Sequence, residues 1–124
     1  MIYMTKFIDA NIFIKIAEDE NSEGFFEGLN LNEHFTSVLV LAEAYHKLTK
    51  KNLRNVFQYM RLIMSAVTVL DIGQSDFFNA IKNPSDLNIN DKIHIEIMKR
   101  NSIDAIISFD KDFDRDKTIK REEI

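Results

Sequence analysis

The chain has 124 residues, of which 45% are hydrophobic and 29% are charged, and its formal net charge at pH 7 is −4. This composition predicts a single cytoplasmic domain, residues 1–124, with a hydrophobic core. The absence of cysteine excludes disulfides, thiolate catalysis and Cys-based zinc sites. The sequence contains no apolar run of membrane-spanning length and no signal-peptide pattern. The acidic net charge argues against broad electrostatic binding to nucleic acid, although a local basic patch would be compatible with it.

The first predicted element is a buried strand that ends at a carboxylate. Apolar, β-forming residues occupy most of positions 2–8, and Asp9 follows them. Ile12, Phe13 and Ile16 then recur at helical spacing. Asp9 therefore lies at the carboxyl end of a strand, where α/β proteins collect ligands, and it also has the residue type of a helix N-cap. This stretch alone leaves both interpretations open.

Three further helices are predicted before residue 65. The first is short and follows a polar break over residues 18–22. The second begins after a cap at Thr36 or Ser37. Its apolar stripe consists of Val38, Leu41, Ala42, Tyr45 and Leu48. The third, over residues 53–64, has a wide apolar face that is typical of a core or a dimer interface.

Glu43 lies at the edge of the second helix's apolar stripe and is the only acid between residues 35 and 51. A carboxylate beside a buried face needs a partner or a metal ion, although a glutamate at the border of such a face can also reach water. The basic residues that follow it are Lys47, Lys50, Lys51 and Arg54. If the helix continues to residue 54, they form one stripe, typical of a solvated helix end or of a row of phosphate contacts.

The second half of the chain continues the alternation of strand and helix. Residues 66–70 form a short predicted strand, and residues 77–81 belong to a helix that stops before Pro84. Residues 118–120 are a candidate strand at the edge of the sheet.

Two acids in this half lie at the ends of predicted elements. Residues 89–98 have helical periodicity, with Asp91 in the first turn, where the helix dipole favours an acid. Residues 105–109 form a second buried strand, which ends at Asp110.

The alternation of elements predicts an α/β fold with a central, largely parallel sheet. If the strand before Asp9 and the strand before Asp110 are neighbours, these two acids face one crevice. Glu43 and Asp91 lie early on helices that could flank it. The sequence therefore predicts a site built from carboxylates at one edge of the sheet.

Other kinds of site find little support. There is no Gly-rich phosphate loop and no G-x-S-x-G nucleophile motif. The three histidines, His34, His46 and His94, have no metal-ligand spacing among themselves, and we expect each at the surface. What remains is an all-oxygen acidic site, which suits Mg²⁺ or Mn²⁺.

With these features the chain resembles the PIN-domain family, in the compact VapC-like form found as toxin ribonucleases of toxin–antitoxin pairs. The resemblance is carried by four segments. They are residues 7–11 at the first strand, 37–43 at the start of the helix capped by Thr36 or Ser37, 90–91 at the start of a late helix and 103–114 around the last buried strand. Their order and spacing cover nearly the whole chain. The resemblance implies a three-layer α/β/α fold and an endoribonuclease that hydrolyses RNA phosphodiester bonds.

The resemblance also implies roles for individual residues. Asp9 and Asp91 would be the principal ligands of Mg²⁺ or Mn²⁺, and Glu43 and Asp110 would complete the site directly or through water. Asn11 would act as a donor that orients Asp9. Asp112 is the alternative to Asp110 as the fourth acid.

Two other classes of function stay open. One is a PIN-like module with weak or no activity that binds RNA or protein. The other is a receiver-like phosphoacceptor domain, which would need an acidic pair near the first strand and a lysine after the last.

Three partners are expected. The basic residues Lys47, Lys50, Lys51 and Arg54 are predicted to position an RNA substrate. A second copy of the chain would cover the apolar faces of the helices at 38–48 and 53–64. A small antitoxin protein is the third partner, which the resemblance implies.

Overall fold

Short strands alternate with helices in the structure, a computed structural model that describes residues 4–19 and 22–124. The strands are β1 (Lys6–Ile8), β2 (His34–Ser37), β3 (Thr68–Leu70), β4 (Ala105–Ile107) and β5 (Lys120–Glu122). The helices are α1 (Ala10–Ala17), α2 (Ser22–Glu27), α3 (Val38–Lys50), α4 (Val56–Ala66), α5 (Gln74–Lys82) and α6 (Ile89–Arg100), with a 3₁₀ helix over Lys111–Arg115.

The strands of the described chain form one five-stranded parallel sheet in the order β3-β2-β1-β4-β5, which confirms the predicted sheet. Phe7 of β1 stands opposite Ile106 of β4, so the strands that precede Asp9 and Asp110 are neighbours. The chain leaves β1 towards β2 and β3 on one side and later reaches β4 and β5 on the other. The junction of β1 and β4 is therefore the topological switch point, where sheets of this kind bind ligands.

The helices pack in two groups, one of α1, α2, α3 and α4 and one of α5 and α6. With the sheet between them they give the expected three-layer α/β/α arrangement. The centre of the core consists of fully buried residues of β1, β4 and α6: Phe7, Ile8, Ile95, Ile97, Met98 and Ile106. Apart from Lys6, these two strands are apolar, because helices cover both faces of a parallel sheet.

Helix α3 buries a different face from the one predicted. Val40, Ala44 and Leu48, spaced four residues apart, are fully buried, whereas Val38 and Tyr45 are 47% and 51% exposed. The predicted buried stripe through Val38 and Tyr45 was therefore wrong. The helix carries apolar residues on two faces, and only its packing against α1 and β2 selects which face becomes core.

The sequence did not predict β2. Its four residues include histidine, threonine and serine, which are typical of a loop before a helix cap. In the sheet, Thr36 is buried and its hydroxyl donates to the carbonyl of Ile8 at 2.8 Å. The neighbouring strand thus satisfies a polar side chain at a central position. Ser37 caps α3, as the sequence allowed.

The last strand is at the predicted edge of the sheet but begins at Lys120 rather than at residue 118. Two residues predicted in the first strand, Ile2 and Tyr3, lie outside the described residues, as do residues 20 and 21 of the polar break. Within the described ranges, no helix combines the length and apolar character needed to cross a membrane.

Candidate active site

Asp9 follows β1 directly and is only 6% exposed. Its backbone N–H donates to the carbonyl of Ile107 in β4 at 3.0 Å, so the residue lies on the seam between the two strands. Its Oδ1 accepts the backbone N–H of Ala10 at 2.7 Å, which makes Asp9 the N-cap of α1. The cap interpretation is therefore confirmed, but the cap uses one carboxylate oxygen and leaves the other for a second role.

The hydroxyl of Ser108 links three groups at the ends of β1 and β4. It donates to Oδ2 of Asp9 at 2.7 Å and accepts from the side-chain amide of Asn11 at 3.1 Å. It also accepts the backbone N–H of Asp110 at 3.0 Å. Asn11 donates to Oδ2 of Asp9 at 3.3 Å as well. Sequence reasoning missed Ser108, whose signal is a polar residue between a buried strand and Asp110.

Asp91 is the third residue of α6 and is 7% exposed. The side chain of Asn88 caps the helix, accepting the backbone N–H of Asp91 at 2.9 Å and donating to its Oδ2 at 3.0 Å. Burial, followed by the negative charges of Asp9, Asp110 and Glu43, raises the pKa of Asp91 to about 7. The four predicted acids therefore act on one another electrostatically.

The structure distinguishes Asp110 from Asp112. Asp110 is half-buried beside Ser108, and its charge contributes to the raised pKa of Asp91. Asp112 is exposed and lies 3.3 Å from the guanidinium of Arg115. Its backbone N–H donates to Oδ1 of Asp110 at 2.9 Å, which caps the 3₁₀ helix. Of the two candidates for the fourth acid, the geometry favours Asp110.

Glu43 is on α3, and its carboxylate contacts α6. Its Oε2 accepts from the side-chain amide of Asn90 at 3.4 Å, and its Oε1 lies 3.0 Å from Nε2 of His94. The same His94 nitrogen is 3.8 Å from Oδ1 of Asp9. Burial alone would raise the pKa of Glu43, but His94, Asn90 and Lys47 together hold it below its ordinary value.

His94 is fully buried, which contradicts the expectation that it lies at the surface. Its ring packs against Phe7, with 5.6 Å between the ring centroids. His46 is exposed as expected, and His34 is half-buried. The signal that could have placed His94 is its spacing, because it shares the inner stripe of α6 with Ile97, three residues further on.

The donor set at this edge consists of carboxylate oxygens, which fits a hard divalent cation. Burial raises the pKa of Asp9, and Oε1 of Glu43 is buried without an aligned hydrogen-bond partner. The first observation means that burial disfavours the charge of Asp9, and the second leaves a buried carboxylate oxygen of Glu43 free to accept a ligand. No three His, Asp or Glu side chains in residues 4–19 and 22–124 converge as a ready-made ligand cage. The side chains would have to close further around an ion.

The predicted basic stripe is interrupted. Helix α3 ends at Lys50, and Asn52 has a left-handed backbone with φ of 57°, so Arg54 does not continue the helix. Lys51 pairs with Glu18. Lys47 lies one turn after Glu43, and its charge contributes to the lowered pKa of that residue. The single continuous row was therefore wrong.

These observations define an α/β domain with an acidic site at the switch point of a parallel sheet. The model of the PIN domain family matches residues 6–117, and the chain therefore belongs to the PIN domain family. Proteins of the PIN and VapC type are nucleases, and such nucleases generally use divalent metal ions. A comparison with curated protein sequences finds no match.

Solved structures show the same fold at low sequence identity. VapC20 from Mycobacterium tuberculosis, a toxin that cleaves the sarcin–ricin loop, is similar with a TM-score of 0.71 and 16% identity over 90% of this chain and 94% of that one. A toxin–antitoxin complex from Klebsiella pneumoniae has a TM-score of 0.72 and 18% sequence identity, over 97% of this chain and 100% of that one. PAE2754 from Pyrobaculum aerophilum has a TM-score of 0.72 and 12% sequence identity, over 95% of this chain and 89% of that one.

Proposed function

We propose that this protein is a metal-dependent endoribonuclease and the toxin of a toxin–antitoxin pair. The proposal depends on one observation: Asp91 is buried at the start of α6, and burial together with the charges of Asp9, Asp110 and Glu43 raises its pKa to about 7. Perturbed acids in a cleft are typical of functional sites. In a member of a nuclease family, a divalent cation is the ligand that such charges suit.

We assign Asp9 and Asp91 as principal ligands of Mg²⁺ or Mn²⁺, with Glu43 and Asp110 completing the set directly or through water. When bound, such an ion supplies an activated water and neutralises charge on the scissile phosphodiester. Asp91 must be ionised to act as a ligand, and its raised pKa means that it releases its proton near neutral pH.

The neighbouring polar residues orient these acids. Ser108 and Asn11 both donate to Oδ2 of Asp9, so they fix the direction of the principal ligand. Asn88 does the same for Asp91 through its side-chain amide. The reaction requires no side-chain nucleophile, since water attacks the phosphorus.

Lys47, Lys50, Lys51 and Arg54 are all exposed, and we propose that they contact RNA phosphates even though they do not form one helical row. Lys47 has the most direct position because it lies one turn from Glu43. The other three lie farther along the same end of α3 and in the following turn.

An antitoxin is supported by the structural neighbours, several of which are toxin–antitoxin complexes. A groove of about 730 Å³ between α2 and α4 has an apolar floor that includes Phe26, Leu29 and Leu62, with Glu23 and Glu27 beside it. This chemistry fits an amphipathic segment with basic residues. We propose that the antitoxin binds there.

A homodimer is the second proposed assembly. Helices α3 and α4 expose large apolar side chains at Val38, Tyr45, Phe57 and Met64. Exposed apolar patches on a soluble domain typically mark interfaces. A cytoplasmic location stays a prediction from composition.

The proposed function is tested with Asp9→Asn. Asparagine keeps the shape and the helix cap but removes one ligand charge. We expect Mn²⁺-dependent RNA cleavage to fall at least ~100-fold, since losing a ligand costs more than losing one of its supporting partners. The metal-free Tm should change little, because relieved repulsion among the acids offsets the loss of one carboxylate oxygen that accepts hydrogen bonds. Added Mn²⁺ should raise the Tm of the wild type more than that of the variant.

Asp104→Asn is the matched control, since Asp104 is exposed and precedes β4 at the opposite end of the strand. It should cleave and bind Mn²⁺ like the wild type. Full cleavage by Asp9→Asn would show that Asp9 is only a cap. RNA binding by the wild type without any cleavage would favour the binding module instead.

A further inference from the structure

Glu43 is held at the site by two side chains of α6. The side-chain amide of Asn90 donates to Oε2 at 3.4 Å, and Nε2 of His94 lies 3.0 Å from Oε1. Asn90 and His94 are four residues apart and therefore lie on one face of α6. Each contacts a different oxygen, so this helix constrains both ends of the carboxylate.

The contact with His94 joins two buried atoms that need a partner. Oε1 of Glu43 and both ring nitrogens of His94 are buried, and none of them makes an aligned hydrogen bond in the described part of the chain, although Oε1 and Nε2 are only 3.0 Å apart. Buried polar atoms in folded proteins are nearly always paired. Because an ionised glutamate only accepts hydrogen bonds, the tautomer of His94 that fits carries its hydrogen on Nε2.

We propose that His94 is a positioning residue that orients Glu43 for metal binding, with Asn90 as the second point of contact. The inference rests on the proposed function, because it concerns the same site. His94 is fully buried and has no exposed atom with which to touch RNA, so it acts through the acids. Its Nε2 is also 3.8 Å from Oδ1 of Asp9, so one nitrogen lies between two predicted ligands.

This role has a physical reason. A glutamate side chain has several rotatable bonds, and ordering them when an ion binds weakens the affinity. The side chain of Asp9 is already fixed by Ser108, Asn11 and its cap, whereas the close side-chain contacts of Glu43 within residues 4–19 and 22–124 come from α6. A partner buried in the core restricts these rotations before the ion arrives.

The role is tested by measuring Mn²⁺ affinity of the full chain, through the electron paramagnetic resonance signal of free Mn²⁺. His94→Leu fills a similar volume without a donor, and His94→Gln retains a donor near the position of Nε2. We expect the Leu variant to bind Mn²⁺ about 10–100-fold more weakly and the Gln variant to recover most of that loss. Melting curves of both variants establish that they fold.

Two results would overturn the inference: a Leu variant that binds as tightly as the wild type, or a Gln variant that binds as weakly as Leu. A wild type that binds no Mn²⁺ would overturn the proposed function instead.

A second measurement needs neither metal nor a change at position 94. In the metal-free protein, NMR detects the Nε2–H proton of His94. Glu43→Gln should shift this resonance upfield, because the charged oxygen 3.0 Å from Nε2 is replaced by a neutral amide, a weaker acceptor. Asp104→Asn should leave it in place. An unchanged resonance in Glu43→Gln would contradict the positioning role.

Discussion

Asp76 and Asp91 occupy the same position on consecutive helices, but the fold gives their charges opposite environments. Each is the third residue of its helix, and the two are 2% and 7% exposed. Arg100 donates to both oxygens of Asp76, at 2.9 and 2.8 Å, and holds the pKa of that carboxyl below its ordinary value. Asp91 has no such partner among the described residues, and burial with three neighbouring acids raises its pKa to about 7.

The difference shows what separates a structural acid from a candidate ligand. Helix α6 carries Asp91 near its start and Arg100 as its last residue, about 14 Å apart along the axis at 1.5 Å per residue. The arginine therefore neutralises Asp76 and is too far away to neutralise Asp91. Buried acids that the fold leaves without a cation are the ones we expect to bind one.

Cleavage activity provides the largest expected contrast. Asp91→Asn should lower Mn²⁺-dependent RNA cleavage at least ~100-fold, because it removes a principal ligand. Asp76→Asn should leave the rate per folded molecule near that of the wild type, since Asp76 bonds to Arg100 and Gly73 and not to the site. Initial rates at equal concentrations of folded protein measure both. Equal losses in the two variants would remove the distinction between the two acids.

For stability the order of the two variants should be reversed, with Asp76→Asn losing more than Asp91→Asn. At pH 8 without metal, Asp76→Asn should lower the free energy of unfolding by about 1–3 kcal/mol, the usual contribution of hydrogen bonds to a charged group. Asp91→Asn should leave it equal or higher, because the variant removes a charge that repels Asp9, Asp110 and Glu43. Urea denaturation measures both values. A loss in Asp91→Asn as large as that in Asp76→Asn would contradict the assignment of Asp91 as an unpaired acid.

The stability of the two variants should also depend on pH in different ways. Folding raises the pKa of Asp91 from its ordinary value of 3.8 to about 7. Between these values the folded protein keeps a proton that the unfolded chain has lost, so the stability falls as the pH rises. The gain in metal-free stability of Asp91→Asn over the wild type should therefore be absent near pH 4 and complete above pH 7.

The contribution of Asp76 to stability depends on pH with the opposite sign. Its lowered pKa means that its stabilisation is present above the unfolded value and is lost as the pH falls through the folded value. The stability that Asp76→Asn loses relative to the wild type should therefore become smaller at low pH. Melting temperatures of the three proteins from about pH 2.5 to 8 cover both pH windows, since the Asp76 contribution is lost only below its unfolded pKa of 3.8, and parallel profiles for both variants would refute the comparison.

Much of the candidate site could be predicted because its acids lie at local boundaries. Asp9 and Asp110 follow buried strands, Asp91 opens a helix, and Glu43 interrupts a run that has no other acid. The supporting residues could not be predicted in the same way. Ser108 and His94 are a serine and a histidine in apolar surroundings, and their importance depends on which side chains lie opposite them in the fold.

The sequence by itself determined the order of most strands and helices and the points where carboxylates interrupt them, since periodicity and capping depend on residues a few positions apart. Only the tertiary structure decided which acids contact an arginine and which lie near other acids. It also decided that α3 buries Val40 and Ala44 rather than Val38 and Tyr45. The physical reason is that desolvation and charge pairing act across the fold: the contact of Arg100 with Asp76 spans 24 residues, and that of Asn11 with Ser108 spans 97.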